Sequence, residues 1–146
     1  MVGKFRKKAR EIALKVLYAY DIDKEKDINE TLEETISDIR QNLSEKTLKY
    51  AYQIINGVYE YIDEIDNIIQ SHLKDWRLDR LGYIERALLR IGTYELVFSD
   101  IPDKKRVFMD ILDIAKCYNL DEKALKFING VLSKIYKDFK AQSKTA

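Results

Sequence analysis

Residues that break helices are almost absent from this chain. Its 146 residues include one proline, Pro102, and five glycines. All-β proteins need both residue types for their frequent turns, and a phosphate-binding loop needs several glycines close together. Hydrophobic residues nevertheless make up 46% of the chain, which is enough for a packed core. The sequence therefore predicts an all-helical fold.

Apolar residues recur at the three- and four-residue spacing of helices in six segments. The predicted helices cover residues 4–20, 28–42, 45–69, 79–98, 106–118 and 122–139. Ser44 and Asp79 are the predicted N-caps of the third and fourth helices, Gly57 is a candidate bend in the third, and Pro102 ends the fourth. With three helices on each side of residue 72, we expect one domain, residues 1–146, of two packed three-helix bundles, residues 4–72 and 76–140.

Basic residues are concentrated at the N-terminus. Residues 1–20 carry six bases against one acid, Glu11, whereas residues 21–70 carry thirteen acids and five bases. This surplus favours a helix that lies against the phosphate backbone of a nucleic acid. The alternative is a solubilising surface with a few local ion pairs. The residues predicted to meet the polyanion are Lys4, Arg6, Lys7, Lys8 and Arg10, with Tyr18 on the same side of the helix.

The last predicted helix carries a second basic surface opposite its apolar face. Phe127 lies within it, and the other members are Lys123, Lys126, Gly130, Lys134 and Lys137. An aromatic ring among lysines suits the stacking of an unpaired base beside a neutralised phosphate. Alternatively, Phe127 packs on a neighbouring helix and the lysines only solubilise the surface. The sequence leaves both interpretations open.

The fourth predicted helix is apolar on two faces. Such a helix either lies at the centre of the fold or presents one face to a partner protein. Glu95 falls inside its main apolar stripe. We expect this carboxylate to be hydrogen-bonded or ion-paired for structural reasons, because an unpaired buried charge is costly.

Sequence signals of catalysis are missing. The chain contains no Ser–His–Asp set, no cysteines at metal-binding spacing and no glycine-rich nucleotide loop, and His72 is its only histidine. We therefore expect no enzymatic activity, cofactor or metal. A lone cysteine, Cys117, and the lack of a secretion signal or an 18-residue apolar run indicate a cytoplasmic protein.

Four blocks of the sequence, in this order and spacing, resemble the NusB family of bacterial transcription antitermination factors. They are RKKAREIALKVLYAY (6–20), WRLDRLGYIERALLRIGTYEL (76–96), IPDKKRVFMDILDIAKCY (101–118) and KFINGVL (126–132). The third block departs from the family in having Asp110-Ile111-Leu112 where Asn/Asp-Glu-Ala is common. The role of that absent glutamate is therefore not carried over to this chain.

The resemblance implies an all-helical protein that binds single-stranded boxA-type RNA of ribosomal RNA operons. It implies a heterodimer with the ribosomal protein NusE, which nucleates an antitermination complex on RNA polymerase. The basic first helix matches the RNA-binding segment of the family, and Phe127 matches an RNA-facing position. Lys123, one turn earlier on the same face, and Lys126 are expected to contribute to the RNA contact. Glu85 matches a position that contacts NusE, and Tyr83 and Arg86 are further candidates for that contact.

Other interpretations remain open at this point. One is a helical protein–protein module whose basic helix docks an acidic partner, and titration with single-stranded RNA would separate it from the RNA-binding hypothesis. Another is a detached NusB-like domain of an RNA cytosine methyltransferase, although we expect 146 residues to be too few for the catalytic domain as well. The free protein is either a monomer or a homodimer that covers its basic surface.

Overall fold

A computed structural model gives the fold of residues 4–145, with side chains described through residue 143. Seven α-helices follow one another, and no strand occurs in this range, so the predicted all-helical fold is confirmed. None of the helices described is both long and apolar enough to cross a membrane. The helices are α1 (Lys4–Ile22), α2 (Ile28–Ile36), α3 (Glu45–Glu60), α4 (Ile62–Ser71), α5 (Tyr83–Thr93), α6 (Lys104–Cys117) and α7 (Glu122–Thr145).

Helices α1 and α5 lie at the centre of the molecule. The first packs against α2, α3, α5 and α6, and the second also contacts α4 and α7. Every residue of α5 from Arg86 to Thr93 is buried, which places the helix that is apolar on two faces inside the fold. Apolar side chains from all seven helices join one hydrophobic core, whose burial drives folding. The division into bundles of residues 4–72 and 76–140 stays a prediction.

The predicted third helix is in fact two. Ser44 caps α3 as expected, because its hydroxyl oxygen accepts the N–H of Thr47 at 3.1 Å. The helix ends at Glu60, and Tyr61, with φ −105° and ψ 22°, leaves the helical conformation before α4 begins. Gly57 does not produce this break. It is buried within α3, where a Cβ atom would collide with the ring of Tyr94, so it permits a close approach between α3 and the segment after α5.

The second and fourth predicted helices are shorter than the sequence pattern suggests. Helix α2 ends at Ile36, and only a 3₁₀ turn, Arg40–Asn42, follows where helix was expected. Asp79 is not an N-cap, because it lies in a 3₁₀ turn, Leu78–Arg80, where its carboxylate accepts a hydrogen bond from Arg77 at 2.8 Å. Because the Asp79 carboxylate accepts this bond from Arg77, it does not cap a helix. Helix α5 therefore begins after Gly82.

A π-helical turn, Tyr94–Phe98, continues α5. Such turns are rare and are often found where a fold positions a functional or buried polar group. Pro102 lies in the loop that follows, as predicted for a helix breaker, and Asp103 caps α6 through the N–H of Arg106 at 3.3 Å. The turn brings Glu95 to face α1 and α6.

Candidate nucleic-acid interface

Arg10 lies in the interior and not on the basic surface of α1. Its side chain is 0% exposed. Its Nε donates to both carboxylate oxygens of Glu95 at 3.0 Å, and its Nη1 donates to Asp110 Oδ2 at 2.7 Å. The predicted contact between Arg10 and RNA is therefore wrong, because two carboxylates already use the guanidinium and no solvent reaches it. Glu95 is confirmed as an ion-paired structural carboxylate.

The acids of this cluster lose most of their water. Burial raises the pKa of the Glu95 and Asp110 carboxyls above their ordinary values, and the guanidinium of Arg10 opposes that rise. Burial lowers the pKa of Arg10, but the hydrogen bond and charge of Glu95 and the charge of Asp110 more than reverse this. Arg10 therefore stays charged. Tyr50 completes the cluster. The pKa of its phenol is raised mainly by burial and, to a smaller extent, by the charge of Glu95.

Three lysines near the start of α1 remain accessible. Lys4 is exposed, and the side chains of Lys7 and Lys8 are 37% and 50% exposed. Lys7 pairs with Asp113 of α6 at 3.4 Å, and Lys8 pairs with Glu11 at 3.7 Å. Exposed pairs of this kind contribute at most about 1 kcal/mol, so a phosphate can replace either carboxylate at low cost. These lysines keep the placement that polyanion binding requires.

Arg6 is half-buried and oriented by aromatic rings. Its guanidinium carbon lies 4.9 Å from the ring centroid of Phe5 and 5.5 Å from that of Tyr50. The buried Nε has no hydrogen-bond partner within the described part of the chain, and no ion pair there involves the residue. The stacked geometry holds the planar donor group in place before any anion arrives.

The structure brings Tyr18 and Tyr83 together, although the sequence assigned them to RNA and to a protein partner respectively. Their rings meet edge to face at 5.9 Å, and they are 37% and 43% exposed. Arg86 lies behind Tyr83, with its guanidinium carbon 4.9 Å from the ring centroid. Its Nε donates to Asp21 at 2.7 Å, and the residue is only 8% exposed. The predicted direct contact of Arg86 with a protein partner is therefore wrong, because Asp21 already binds its guanidinium and almost none of the residue reaches the solvent.

Glu85 and Phe127 share one groove between the start of α5 and the start of α7. We call this cavity of about 400 Å³ the Glu85 groove. Its lining includes Trp76, Arg80, Leu81, Gly82, Glu85, Asp121, Lys123, Ala124 and Phe127. One predicted protein-contact residue and two predicted RNA-contact residues therefore lie at the same place.

Phe127 also lines a second cavity, which we call the lysine groove. It measures about 290 Å³ and runs between α7 and the segment after α4. Its lining includes His72, Leu73, Lys74, Asp75, Trp76, Lys126, Phe127, Gly130, Val131 and Lys134. Phe127 is half-buried against the core and borders both grooves, so it packs on its neighbours as the second interpretation expects, while base stacking stays a prediction.

Sequence reasoning missed Trp76 as a candidate site residue. This indole is 58% exposed and lines both grooves beside Phe127. The sequence does contain a signal for this residue. The only tryptophan of the chain stands between two charged residues, Asp75 and Arg77, in a segment where apolar residues do not recur at helical spacing. An aromatic residue of that size in a polar connector is not needed for the core.

The groups along α1 and the two grooves are of the kinds that serve recognition. They offer exposed cations for phosphates, edges and faces of aromatic rings for bases, and three carboxylates, Asp75, Glu85 and Asp121, along the two grooves. Within the part of the chain that the structure describes, no group of three acidic, histidine or cysteine side chains is placed to hold a metal ion.

Comparison with known proteins agrees with this architecture. A family model described as the NusB family matches residues 7–137. The transcription antitermination protein NusB of Persephonella marina is 59% identical over 137 residues, which are 94% of this chain and 96% of that protein. The NusB of Aquifex aeolicus is 44% identical over 142 residues, which are 97% of this chain and 93% of that protein.

A solved structure shows the same fold. A crystal structure of the antitermination factors NusB and NusE in complex with double-stranded RNA superposes with a TM-score of 0.85 at 42% identity. The match covers 94% of this chain and 99% of the other. The residues matched by the family model reach from α1 into α7 and include every helix between them. The chain therefore belongs to the NusB family.

Proposed function

We propose that this protein is a cytoplasmic, non-enzymatic RNA-binding factor in transcription antitermination. It binds single-stranded boxA-type RNA of ribosomal RNA operons together with NusE, and the pair joins an antitermination complex on RNA polymerase. The names of its relatives support the antitermination role, and the similar structure that contains NusE and RNA supports both partners.

One observation carries the proposal, namely that Glu85 borders the same groove as Lys123 and Phe127. A protein bound at Glu85 lies next to RNA bound at Phe127, so each partner can contact the other as well as this chain. Two weak contacts held side by side reinforce each other, because the second forms at a high effective concentration. A basic surface of low selectivity thereby gains sequence preference in the presence of NusE.

The RNA backbone is expected to follow α1 towards α7. Lys7 joins α1 to α6 through Asp113, and burial followed by the charge of Glu11 raises the pKa of the Tyr118 phenol. Tyr118, whose phenol interacts with Glu11 of α1, directly follows α6 and lies four residues before α7 begins at Glu122. The lysines of α1 neutralise phosphates, while Phe127 and Tyr18 offer ring surface to unpaired bases.

Fluorescence anisotropy with a labelled boxA-like strand and a scrambled strand tests the proposal. Both strands are titrated at several salt concentrations, with and without NusE. We expect preference for the boxA-like strand, strengthened by NusE. Equal binding of both strands with a steep salt dependence would indicate a generic polyanion binder. Absence of binding to either strand, even with NusE, would favour the protein-docking module.

A variant locates the RNA surface. Phe127→Leu keeps an apolar side chain against the core but removes the aromatic face. We expect it to weaken boxA binding by about 5- to 100-fold, since stacking of one base contributes about 1–3 kcal/mol. Phe108→Leu, at a half-buried phenylalanine outside both grooves, is the matched control and should bind as the parent does.

A further inference from the structure

The lysine groove has a surplus of positive charge that the protein does not use. Lys74, Lys126 and Lys134 line it against a single acid, Asp75. Within the described residues none of the three lysines takes part in an ion pair. His72, at one end, is already engaged, because its Nε2 lies 2.8 Å from a carboxylate oxygen of Asp138. The groove is thus prepared for a negatively charged ligand and not for a cation.

The lining of the lysine groove also includes the indole of Trp76, whose backbone is held in place. Gln70 donates to the carbonyl oxygen of Trp76 at 2.9 Å and accepts the N–H of Leu78 at 2.8 Å. These two bonds clamp the backbone on both sides of Arg77, while the Trp76 side chain stays 58% exposed. A large aromatic surface that is exposed beside cationic side chains is suited to stacking on an unpaired base.

Gly130 makes the groove accessible from the side of α7. A glycine inside a helix costs about 0.5–1 kcal/mol relative to alanine, so its presence in a 24-residue helix requires a reason. That reason is not packing within the protein, because a Cβ atom added at Gly130 would meet nothing within 4 Å. The space above this residue opens into the groove between Lys126 and Lys134.

From these three observations we infer that the lysine groove binds one further unpaired nucleotide of the RNA strand, beyond the base at Phe127. The base stacks on Trp76, and Lys126 and Lys134 neutralise the adjoining phosphates. This inference rests on the proposed function, which it deepens by adding a subsite. Aromatic surface combined with unpaired lysines favours a nucleotide over an acidic peptide, which would use the charges but not the flat ring.

The only tryptophan of the chain reports on this subsite directly. The full-length protein is titrated, with excitation of Trp76, using two boxA-like strands that differ by a few unpaired nucleotides at each end. We expect the extended strand to bind more tightly and to quench the indole fluorescence, and the short strand to quench it little. Trp76→Ala should weaken binding of the extended strand by about 5- to 150-fold and remove its advantage over the short strand, whose binding falls less because Trp76 only borders the Glu85 groove.

Two further variants test the groove without touching the indole. Gly130→Leu places a side chain in the open space, and we expect it to abolish both the quenching and the advantage of the extended strand. Lys134→Gln should lower the slope of log K against log salt by about 0.7 for the extended strand, as one lost phosphate contact does. Lys49→Gln, at an exposed lysine of α3 outside the groove, should not change that slope.

The outcomes separate this inference from the proposed function. If both strands bind the parent equally, and Trp76→Ala binds the extended strand as the parent does, the subsite is wrong while RNA binding stands. If neither strand binds the parent even with NusE, the proposed function fails and the subsite with it. Quenching by polyglutamate but not by RNA would overturn the inference in favour of a protein-docking groove. Circular dichroism of each variant confirms that it is folded.

Discussion

The guanidinium of Arg10 and the carboxylate of Glu95 form a buried ion pair between residues 85 positions apart in the chain. Arg10 belongs to α1, and Glu95 belongs to the π-helical turn after α5. Asp110 of α6 binds the same guanidinium. The pair therefore holds the helix with the exposed lysines in one fixed position on α5 and α6, and this position determines where Lys7 and Lys8 meet the solvent.

Removal of Arg10 should destabilise the protein without acting on RNA directly. Arg10→Ala leaves two buried carboxylates without their cation, and breaking a buried pair in this way costs about 3–5 kcal/mol. Urea unfolding measures the loss, and Lys8→Ala, at an exposed pair, is the control that should change stability by less than about 1 kcal/mol. A loss for Arg10→Ala no larger than that of the control would contradict the buried network.

The exposed lysines of α1 should act on RNA and not on stability. Lys7→Ala/Lys8→Ala removes two phosphate contacts, so the slope of log K against log salt should become shallower by about 1.4 for a single strand. Anisotropy titrations at several salt concentrations give this slope, and the urea midpoint should change little because both lysines form only solvent-accessible ion pairs. An unchanged slope would mean that the RNA does not follow α1.

Two glycines of the helices should respond in opposite ways to the same substitution. Gly57→Ala forces a methyl group into the ring of Tyr94 and should destabilise the protein by about 1–3 kcal/mol. Gly130→Ala adds a methyl group in open space and should stabilise α7 by about 0.5–1 kcal/mol. Thermal unfolding of the two variants beside the parent tests this, and a shift of the same sign in both would refute it.

Stability should fall in alkaline solution partly because of Tyr50. Burial, then the charge of Glu95, raises the pKa of its phenol above the ordinary value of about 10. A raised pKa means that the folded state binds the proton more tightly than the unfolded chain, so the free energy of unfolding falls as pH rises above about 10. Tyr50→Phe should flatten this decline in urea unfolding, whereas Tyr83→Phe, at an exposed tyrosine, should keep it.

Glu85 should affect the protein partner more than the RNA. Glu85→Gln keeps the size of the side chain but removes the charge at the boundary of the Glu85 groove. We expect NusE binding to weaken by at least about tenfold, since a close charge pair across an interface contributes about 1.5 kcal/mol or more. Calorimetry measures this affinity, and Glu64→Gln, at an exposed position of α4, is the control. An effect confined to RNA binding would remove Glu85 from the protein contact.

Sequence reasoning succeeded where the evidence was local. The scarcity of glycine and proline and the helical spacing of apolar residues predicted an all-helical fold, and the Ser44 cap and the breaker Pro102 were both correct. Glu95 was recognised because a lone carboxylate in an apolar stripe needs a partner. Each of these inferences depends on residues within a few turns of each other, which a single sequence displays.

It failed where distant segments meet. Counting charges within residues 1–20 left Glu11 as the only acid available to six cations, but the fold supplies Asp113 to Lys7 and two further acids to Arg10. The same failure hid the second buried face of α1, where Arg10 lies among apolar residues that pack on α5. The break at Tyr61 also has no strong local signal, since neither glycine nor proline occupies it.

The buried cluster also sets an order of events during synthesis. Ribosomes make the chain from its N-terminus, so α1 emerges first, while Glu95 and Asp110 follow 85 and 100 residues behind Arg10. Until both acids have been translated, Arg10 lacks the two carboxylates that bind it, and α1 cannot settle into its place on α5 and α6. The helix that is translated first therefore reaches its final position only when most of the protein has left the ribosome.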